Sequence, residues 1–220
     1  MTSAAGYSED LLIERPTRAL FGKLGWQTAN CYYETFGSRG TLGRETPSEV
    51  VLIQKLEPAL KKLNPGLPLE GIDLAIEELV RDRSKMSMAA ANREIAKLMK
   101  DGVKVTFKAA EGEEITETVK VIDWNNPSNN DFFLVSQFWV TGEMYKRRLD
   151  MLGFVNGIPL VAIELKAAHK TLRNAYDKNL VDYKATVPHV FWYNGFIVLS
   201  NGSESRLGTM TSEWEHFVEW

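Results

Sequence analysis

Cysteine is nearly absent, because Cys31 is the only one in 220 residues. An intramolecular disulfide is therefore excluded, and no cysteine pair is available for a zinc site. The sequence also lacks a run of about 18 apolar residues, and positions 1–10 lack the basic-then-apolar pattern of a secretory signal. We expect a cytoplasmic protein without membrane contact, in which Cys31 is a small buried apolar residue.

Excess positive charge is missing as well, since the formal net charge is -3. Non-specific DNA affinity comes mainly from lysine and arginine, so any contact with nucleic acid must be local. The three histidines show neither metal-ligand spacing nor a serine or cysteine nucleophile context. No Gly-x-x-x-x-Gly-Lys-Ser/Thr loop occurs, so this chain cannot by itself be an ATP-driven translocase.

The first half of the chain has helical periodicity. Residues 9–24 carry leucines at helical intervals, with Pro16 near the start of the regular helix and Gly25 closing it. Thr46 to Glu49 read as a capping box that opens a helix ending at Asn64. Two further helices are predicted at about 69–81 and 87–100. These helices look like scaffold.

From Val103 the period changes to two, which is typical of strands. The pattern predicts a hairpin over about 103–122, strands at 132–140, 147–155, 158–165 and 196–200, and a crossover helix at 172–183. We predict an α/β fold whose mixed sheet is flanked by helices. It forms a single domain over 1–220, with a helical portion at about 1–102 and a mixed-sheet core at about 103–220.

Three charged residues lie at the ends of two strand-like runs that are otherwise apolar on both faces. They are Asp150, Glu164 and Lys166. Such runs belong in the middle of a covered sheet, where an unpaired carboxylate costs several kcal/mol. A bound divalent cation would compensate that cost. The alternative interpretation is a structural ion pair at a strand end.

The register of the hairpin decides whether the two carboxylates meet. A plain two-residue turn at Asn156-Gly157 puts Asp150 opposite Ile163, with its side chain on the face away from Glu164. A longer connection or one bulge puts Asp150 opposite Glu164. We predict the bulge or the longer loop. With it, both carboxylates could hold one Mg²⁺, for which Mn²⁺ could substitute.

This residue set suits phosphodiester hydrolysis. A divalent cation offsets the negative charge that develops on phosphorus and lowers the pKa of water. An ammonium group such as that of Lys166 can orient the attacking water or help to deprotonate it. On spacing alone an Asp followed by Glu-x-Lys is common, so the buried-strand context carries more weight than the pattern.

Several longer motifs resemble the N-terminal nuclease domain of the R, or restriction and motor, subunit of type I restriction endonucleases. The matching runs cover nearly the whole chain: Leu42-Gly43-Arg44-Glu45-Thr46, Leu63-Asn64-Pro65, Asn125 to Phe132, Phe154 to Lys166, and Ser200-Asn201-Gly202. The resemblance implies the restriction-endonuclease-like fold of the PD-(D/E)xK superfamily. It also assigns Asp150, Glu164 and Lys166 as metal-binding acid, second acid and catalytic lysine.

The same resemblance implies supporting residues. Superfamily members often add an acid from the first helix, for which Glu14 is the candidate and Glu9 the alternative. Both could instead be solvated carboxylates favoured by the helix dipole. Where the family tends to carry Gln-x-x-x-Tyr, this chain has Asn179 and Tyr183, which share a helix face and could support Lys166 or touch DNA.

Basic residues cluster in sequence around the proposed site, and Arg148 and Lys170 are the candidates for phosphate contact. The family often has Arg-Pro-Asp where this chain has Arg148-Leu149-Asp150, a change that keeps the acid. A charge-rich stretch is otherwise usually a solvated face.

Three functions compete. The first is a Mg²⁺-dependent endonuclease domain that cuts double-stranded DNA, with a motor domain outside this chain using ATP and with methylation and specificity subunits as partners. The second is a non-catalytic DNA-docking or subunit-contact module. The third is a stand-alone repair nuclease on the same fold. We expect the first function, and we expect the chain to be a fragment of a longer protein.

Overall fold

The computed structural model describes residues 13–108 and 112–220, so Glu9 lies outside the described residues. Four helices come from the first half of the chain: α1 (Arg15–Lys23), α2 (Ile53–Leu63), α3 (Leu69–Val80) and α4 (Met88–Asp101). The last two agree closely with the predicted segments. Gly102 ends α4 in a positive-φ conformation that favours glycine.

Apolar residues at helical spacing explain how α2, α3 and α4 pack. Each helix buries one stripe, and the stripes contribute Leu56, Leu60, Ile72, Leu79 and Ile95 to one large core. A fully buried leucine or isoleucine contributes roughly 1.5–3 kcal/mol relative to an exposed one. These helices are therefore held by the core that also supports the sheet.

The predicted capping box at Thr46 to Glu49 is wrong. The helix α2 begins seven residues after Thr46, and Glu49 Oε2 accepts a hydrogen bond from the backbone of Glu45 instead. The segment before α2 consists of bends and a turn, and its backbone forms hydrogen bonds with the sheet instead of starting a helix. Pro47 O accepts from Thr141 N at 3.0 Å, and Leu52 N donates to Gly157 O at 2.8 Å.

Nine strands form two sheets within the described residues. The strands are β1 (Gln27–Asn30), β2 (Val103–Lys108), β3 (Glu114–Val119), β4 (Phe132–Thr141), β5 (Lys146–Val155), β6 (Ile158–Leu165), β7 (Phe196–Ser200), β8 (Ser205–Gly208) and β9 (Val218–Glu219). The hairpin of β2 and β3 is separate. The other seven strands form one sheet in the order β1-β4-β5-β6-β7-β8-β9.

The seven-stranded sheet is mixed, which confirms the predicted α/β class. The pairs β1 with β4 and β6 with β7 are parallel, and the other pairs are antiparallel. The sequence reading missed β1, β8 and β9. The edge strand β1 comes from the portion of the chain that was predicted to be helical.

The crossover from β6 to β7 is helical, as predicted, but irregular. It begins with a short turn α5 (Leu172–Asn174), continues as a π-helical stretch (Ala175–Leu180) and ends as α6 (Val181–Thr186). Wider turns of this kind are often found at functional sites. Within the described residues, no helix is long and apolar enough to span a membrane.

Candidate active site

The hairpin that joins β5 to β6 has both a tight turn and a bulge. Asn156 and Gly157 have φ of 51° and 79°, as a two-residue hairpin turn requires, and Val155 pairs with Ile158. Further along, Gly153 pairs with Val161, so Leu160 is one extra residue on β6. The predicted bulge is confirmed, although the turn itself is the short one.

The bulge brings two acids level with each other. Beyond it Met151 pairs with Ile163, and the next step of this register places Asp150 opposite Glu164. Asp150 Oδ2 also accepts a hydrogen bond of 2.8 Å from Leu165 N, in the residue after Glu164. The two carboxyl groups therefore lie side by side on neighbouring central strands.

Glu164 is a buried acid in an unfavourable electrostatic environment. Its side chain is only 6% exposed. Burial, first of all, and then the negative charge of Asp150 raise the pKa of the Glu164 carboxyl well above its ordinary value. Lys166 acts in the opposite direction, since its Nζ lies 2.6 Å from Glu164 Oε1. The three charged residues predicted from sequence are thus brought together.

The crossover helix adds a phenol to this group. Tyr183 is buried, and its pKa is raised above the ordinary value by burial and then by the charge of Glu164. Its hydroxyl donates to Arg148 O at 3.1 Å and accepts from Asn179 Nδ2 at 3.3 Å. The predicted i, i+4 face of Asn179 and Tyr183 is present, and the Asn179 side chain contacts the tyrosine hydroxyl.

Glu14 is not the solvated carboxylate that one interpretation predicted. It is 5% exposed at the start of α1, and its Oε2 accepts a hydrogen bond of 2.5 Å from Gln137 Nε2. Its Oε1 is buried and has no hydrogen-bond partner among the residues that the structure describes. Sequence reasoning missed Gln137, because nothing in an apolar strand signals that a glutamine will leave the regular backbone conformation.

The two predicted phosphate contacts differ in their surroundings. Arg148 is half-buried, and its guanidinium lies over the rings of Tyr32, at 4.7 Å, and Trp139, at 5.2 Å. Lys170 is exposed after β6, and its carbonyl accepts from Asn201 Nδ2. The stacking on two aromatic rings holds Arg148 on β5, two residues from Asp150.

Two carboxylates of the site are suited to bind a divalent cation. Among the described residues, no group of three or more histidine, cysteine, aspartate or glutamate side chains is placed to hold a metal. Mg²⁺ usually binds through one or two carboxylates and otherwise keeps its waters. Asp150 and Glu164 meet that requirement, and the repulsion between them is what a cation would relieve. The residues present fit Mg²⁺.

Comparison with known proteins gives a consistent result. The sequence matches the family described as "Type I restriction enzyme R protein N terminus" over residues 6–216. It is 31% identical over 222 residues to the "Type I restriction enzyme HindI endonuclease subunit" of Haemophilus influenzae, covering 94% of this chain and 20% of the relative.

A second relative, from Methanocaldococcus jannaschii, is named "Putative type I restriction enzyme MjaIXP endonuclease subunit". It is 30% identical over 227 residues, covering 99% of this chain and 21% of the relative. The chain therefore spans about a fifth of the length of these curated relatives. By its family match and its relatives, the chain belongs to the family of type I restriction enzyme R protein N-terminal regions.

Proposed function

We propose that this domain is a Mg²⁺-dependent endonuclease module that hydrolyses DNA phosphodiester bonds. The observation that carries the proposal is the bulge at Leu160, which sets Asp150 beside Glu164 in the middle of the sheet. A bulge that aligns the half-buried Asp150 carboxylate with the buried Glu164 carboxylate costs stability unless a cation binds there. Structural needs alone would be met by a regular hairpin with apolar side chains.

Each residue of the site has a distinct role in this proposal. Asp150 and Glu164 hold the cation, which supplies charge stabilisation for the phosphate and a lower pKa for water. The Lys166 ammonium orients the attacking water and stabilises negative charge on the phosphate oxygens. Tyr183 keeps β5 and the crossover helix in place through its bond to Arg148 O.

Glu14 is proposed as a further acid of the site, with a less direct role than Asp150 and Glu164. Its carboxylate is buried, but it does not form a three-acid cluster with the other two within the described residues. We place it at the margin of the site, where its charge adds to the attraction for a cation. Arg148 and Lys170 are proposed to contact DNA phosphates, because Arg148 lies on β5 two residues before Asp150 and Lys170 comes shortly after β6.

The family and the names of the relatives suggest the wider setting. We propose that the module works within a type I restriction enzyme, on double-stranded DNA, together with methylation and specificity subunits. In that setting ATP is used by a motor region beyond this chain, and the protein acts in the cytoplasm. Mn²⁺ is expected to replace Mg²⁺.

Nicking of supercoiled plasmid by the complete enzyme tests the proposal. We expect Glu164→Gln and Lys166→Ala to reduce cutting by roughly 100-fold or more, while ATP hydrolysis stays at the wild-type rate. Glu57→Ala and Lys61→Ala are matched controls, because this ion pair lies on the surface of α2. Both controls should cut like wild type.

The opposite result has a clear meaning. If Glu164→Gln and Lys166→Ala cut at the wild-type rate, the three charged side chains are a structural ion-pair network. The domain would then be a DNA-docking or subunit-contact module.

A further inference from the structure

Gln137 has a backbone conformation that its place in the chain does not require. It lies inside β4, yet its φ is 59°. In the described residues, Asn156 is the other non-glycine residue with positive φ, and it occupies a turn where asparagine is favoured. A glutamine in a left-handed conformation is strained, and such strain is most often found at functional sites.

This conformation changes which face of the strand each side chain occupies. Side chains three positions apart in a regular strand point to opposite faces. Val135 and Phe138 nevertheless belong to the same core, and so do Leu149 and Leu152 on the neighbouring strand β5. The alternation is therefore interrupted on both strands at one level of the sheet, which is the level of Gln137.

That level is also the level of the candidate active site. Ser136 pairs with Met151, and Phe138 pairs with Leu149, so Gln137 falls opposite Asp150. Asp150 in turn lies opposite Glu164 on β6. Gln137, Asp150 and Glu164 thus form one row across three adjacent strands.

The Gln137 side chain extends this row to a fourth residue, Glu14. Gln137 Nε2 donates a hydrogen bond of 2.5 Å to Oε2 of this buried carboxylate. Within residues 13–108 and 112–220, the buried Glu14 Oε1 has no hydrogen-bond partner, and Arg18 Nε lies 3.9 Å from it. A buried carboxylate with an unsatisfied oxygen is costly, so the contact with Gln137 is what fixes its position.

We propose that Gln137 is a positioning residue of the nuclease site. Its left-handed backbone turns the carboxamide towards α1, where it holds the Glu14 carboxylate next to the row of Gln137, Asp150 and Glu164. Glu14 then strengthens cation binding through its charge, from outside the pair of acids that hold the ion. This inference rests on the proposed function and adds a residue that acts through Glu14.

Isothermal titration of the 220-residue chain with Mn²⁺ tests the role of Gln137 without any activity assay. The chain is compared with Gln137→Gly, Glu14→Gln and the double variant. Glycine adopts the left-handed backbone without strain and removes the whole side chain, including the carboxamide that contacts Glu14. We expect Gln137→Gly to bind Mn²⁺ about tenfold more weakly, as is typical when a residue that supports a metal site is removed.

The double variant separates positioning from an independent effect. If Gln137 acts by holding Glu14, the double variant binds Mn²⁺ as weakly as Glu14→Gln alone. Wild-type affinity in Gln137→Gly, or a double variant whose losses multiply, would overturn the proposal while leaving the nuclease assignment in place. Absence of Mn²⁺ binding by the wild-type chain would overturn both.

Gln137→Ala checks the strained backbone itself. Alanine carries a Cβ and offers no carboxamide, so it has the penalty of the left-handed conformation without the contact to Glu14. We expect a lower urea midpoint for Gln137→Ala than for Gln137→Gly. Equal midpoints would show that the left-handed backbone at this position is not enforced, and would contradict the proposal.

Discussion

Buried charges occur in two regions of this domain, and the two regions treat them differently. Beside the helical portion, Arg44 is 1% exposed, and its guanidinium donates to both oxygens of Glu34, to Glu49 O and to Trp139 O. At the site, the buried Glu164 lies beside a second acid, Asp150, and is balanced mainly by Lys166. Glu14 there has one carboxylate oxygen without a hydrogen-bond partner in the described part of the chain.

The difference separates structural from functional charge. The Arg44 group has opposite charges in bidentate geometry and a partner for each guanidinium nitrogen, which is how a buried ion pair is tolerated in a fold. The site brings like charges together and leaves part of its hydrogen-bonding capacity unmet. An arrangement of that kind is maintained when a ligand supplies the missing charge.

Breaking the Arg44 pair should have the largest effect on stability. Arg44→Met leaves the Glu34 carboxylate buried without its partner, because the Glu34 side chain is 0% exposed. We expect the free energy of unfolding to fall by about 3–5 kcal/mol, measured by urea denaturation. Arg81→Met is the control, since that side chain is 53% exposed, and its loss should stay below about 1 kcal/mol. Equal losses would remove the distinction between the two regions.

A smaller effect, on activity, is expected from Tyr183→Phe. The substitution removes the hydroxyl that donates to Arg148 O and accepts from Asn179, while the ring remains to fill the core. Loss of one such hydrogen bond costs about 1 kcal/mol, so we expect plasmid nicking by the complete enzyme to slow by roughly fivefold. A rate equal to that of wild type would exclude Tyr183 from the support of the site.

The smallest change is expected in the stability of Glu164→Gln without metal. The substitution removes an ion pair with Lys166, but it also removes the repulsion from Asp150 and the burial of a charge. These effects offset each other, so the free energy of unfolding in the presence of chelator should change by less than about 1 kcal/mol. A loss as large as that of Arg44→Met would mean that Glu164 is structural.

The sequence predicted the regular elements because their signals are local. The helices α3 and α4, the strands β4 to β7 and the bulge that aligns Asp150 with Glu164 follow from periodicity, turn residues and the cost of a buried carboxylate. The position of Cys31 was also predictable, and burial raises the pKa of its thiol to about 12.

The missed features depend on distant partners. Strand β1 has four residues and pairs with β4, which lies about a hundred positions away, so no local pattern marks it. The segment after Thr46 has a good capping pattern, but its backbone groups pair with Thr141 and Gly157 instead. The conformation of Gln137 is likewise set by tertiary structure, so its contact with Glu14 could not be read from the sequence.

Metal-dependent thermal stability tests the central claim most directly, namely that Asp150 and Glu164 hold a divalent cation. At Mn²⁺ concentrations 100 times the Kd, binding to the folded chain adds about 2.7 kcal/mol, which corresponds to a Tm increase of roughly 5–10 °C. We predict this increase for wild type and for Asp73→Asn, an exposed control on α3, and no increase for Asp150→Asn. An unchanged wild-type Tm, or an equal increase in Asp150→Asn, would contradict the account.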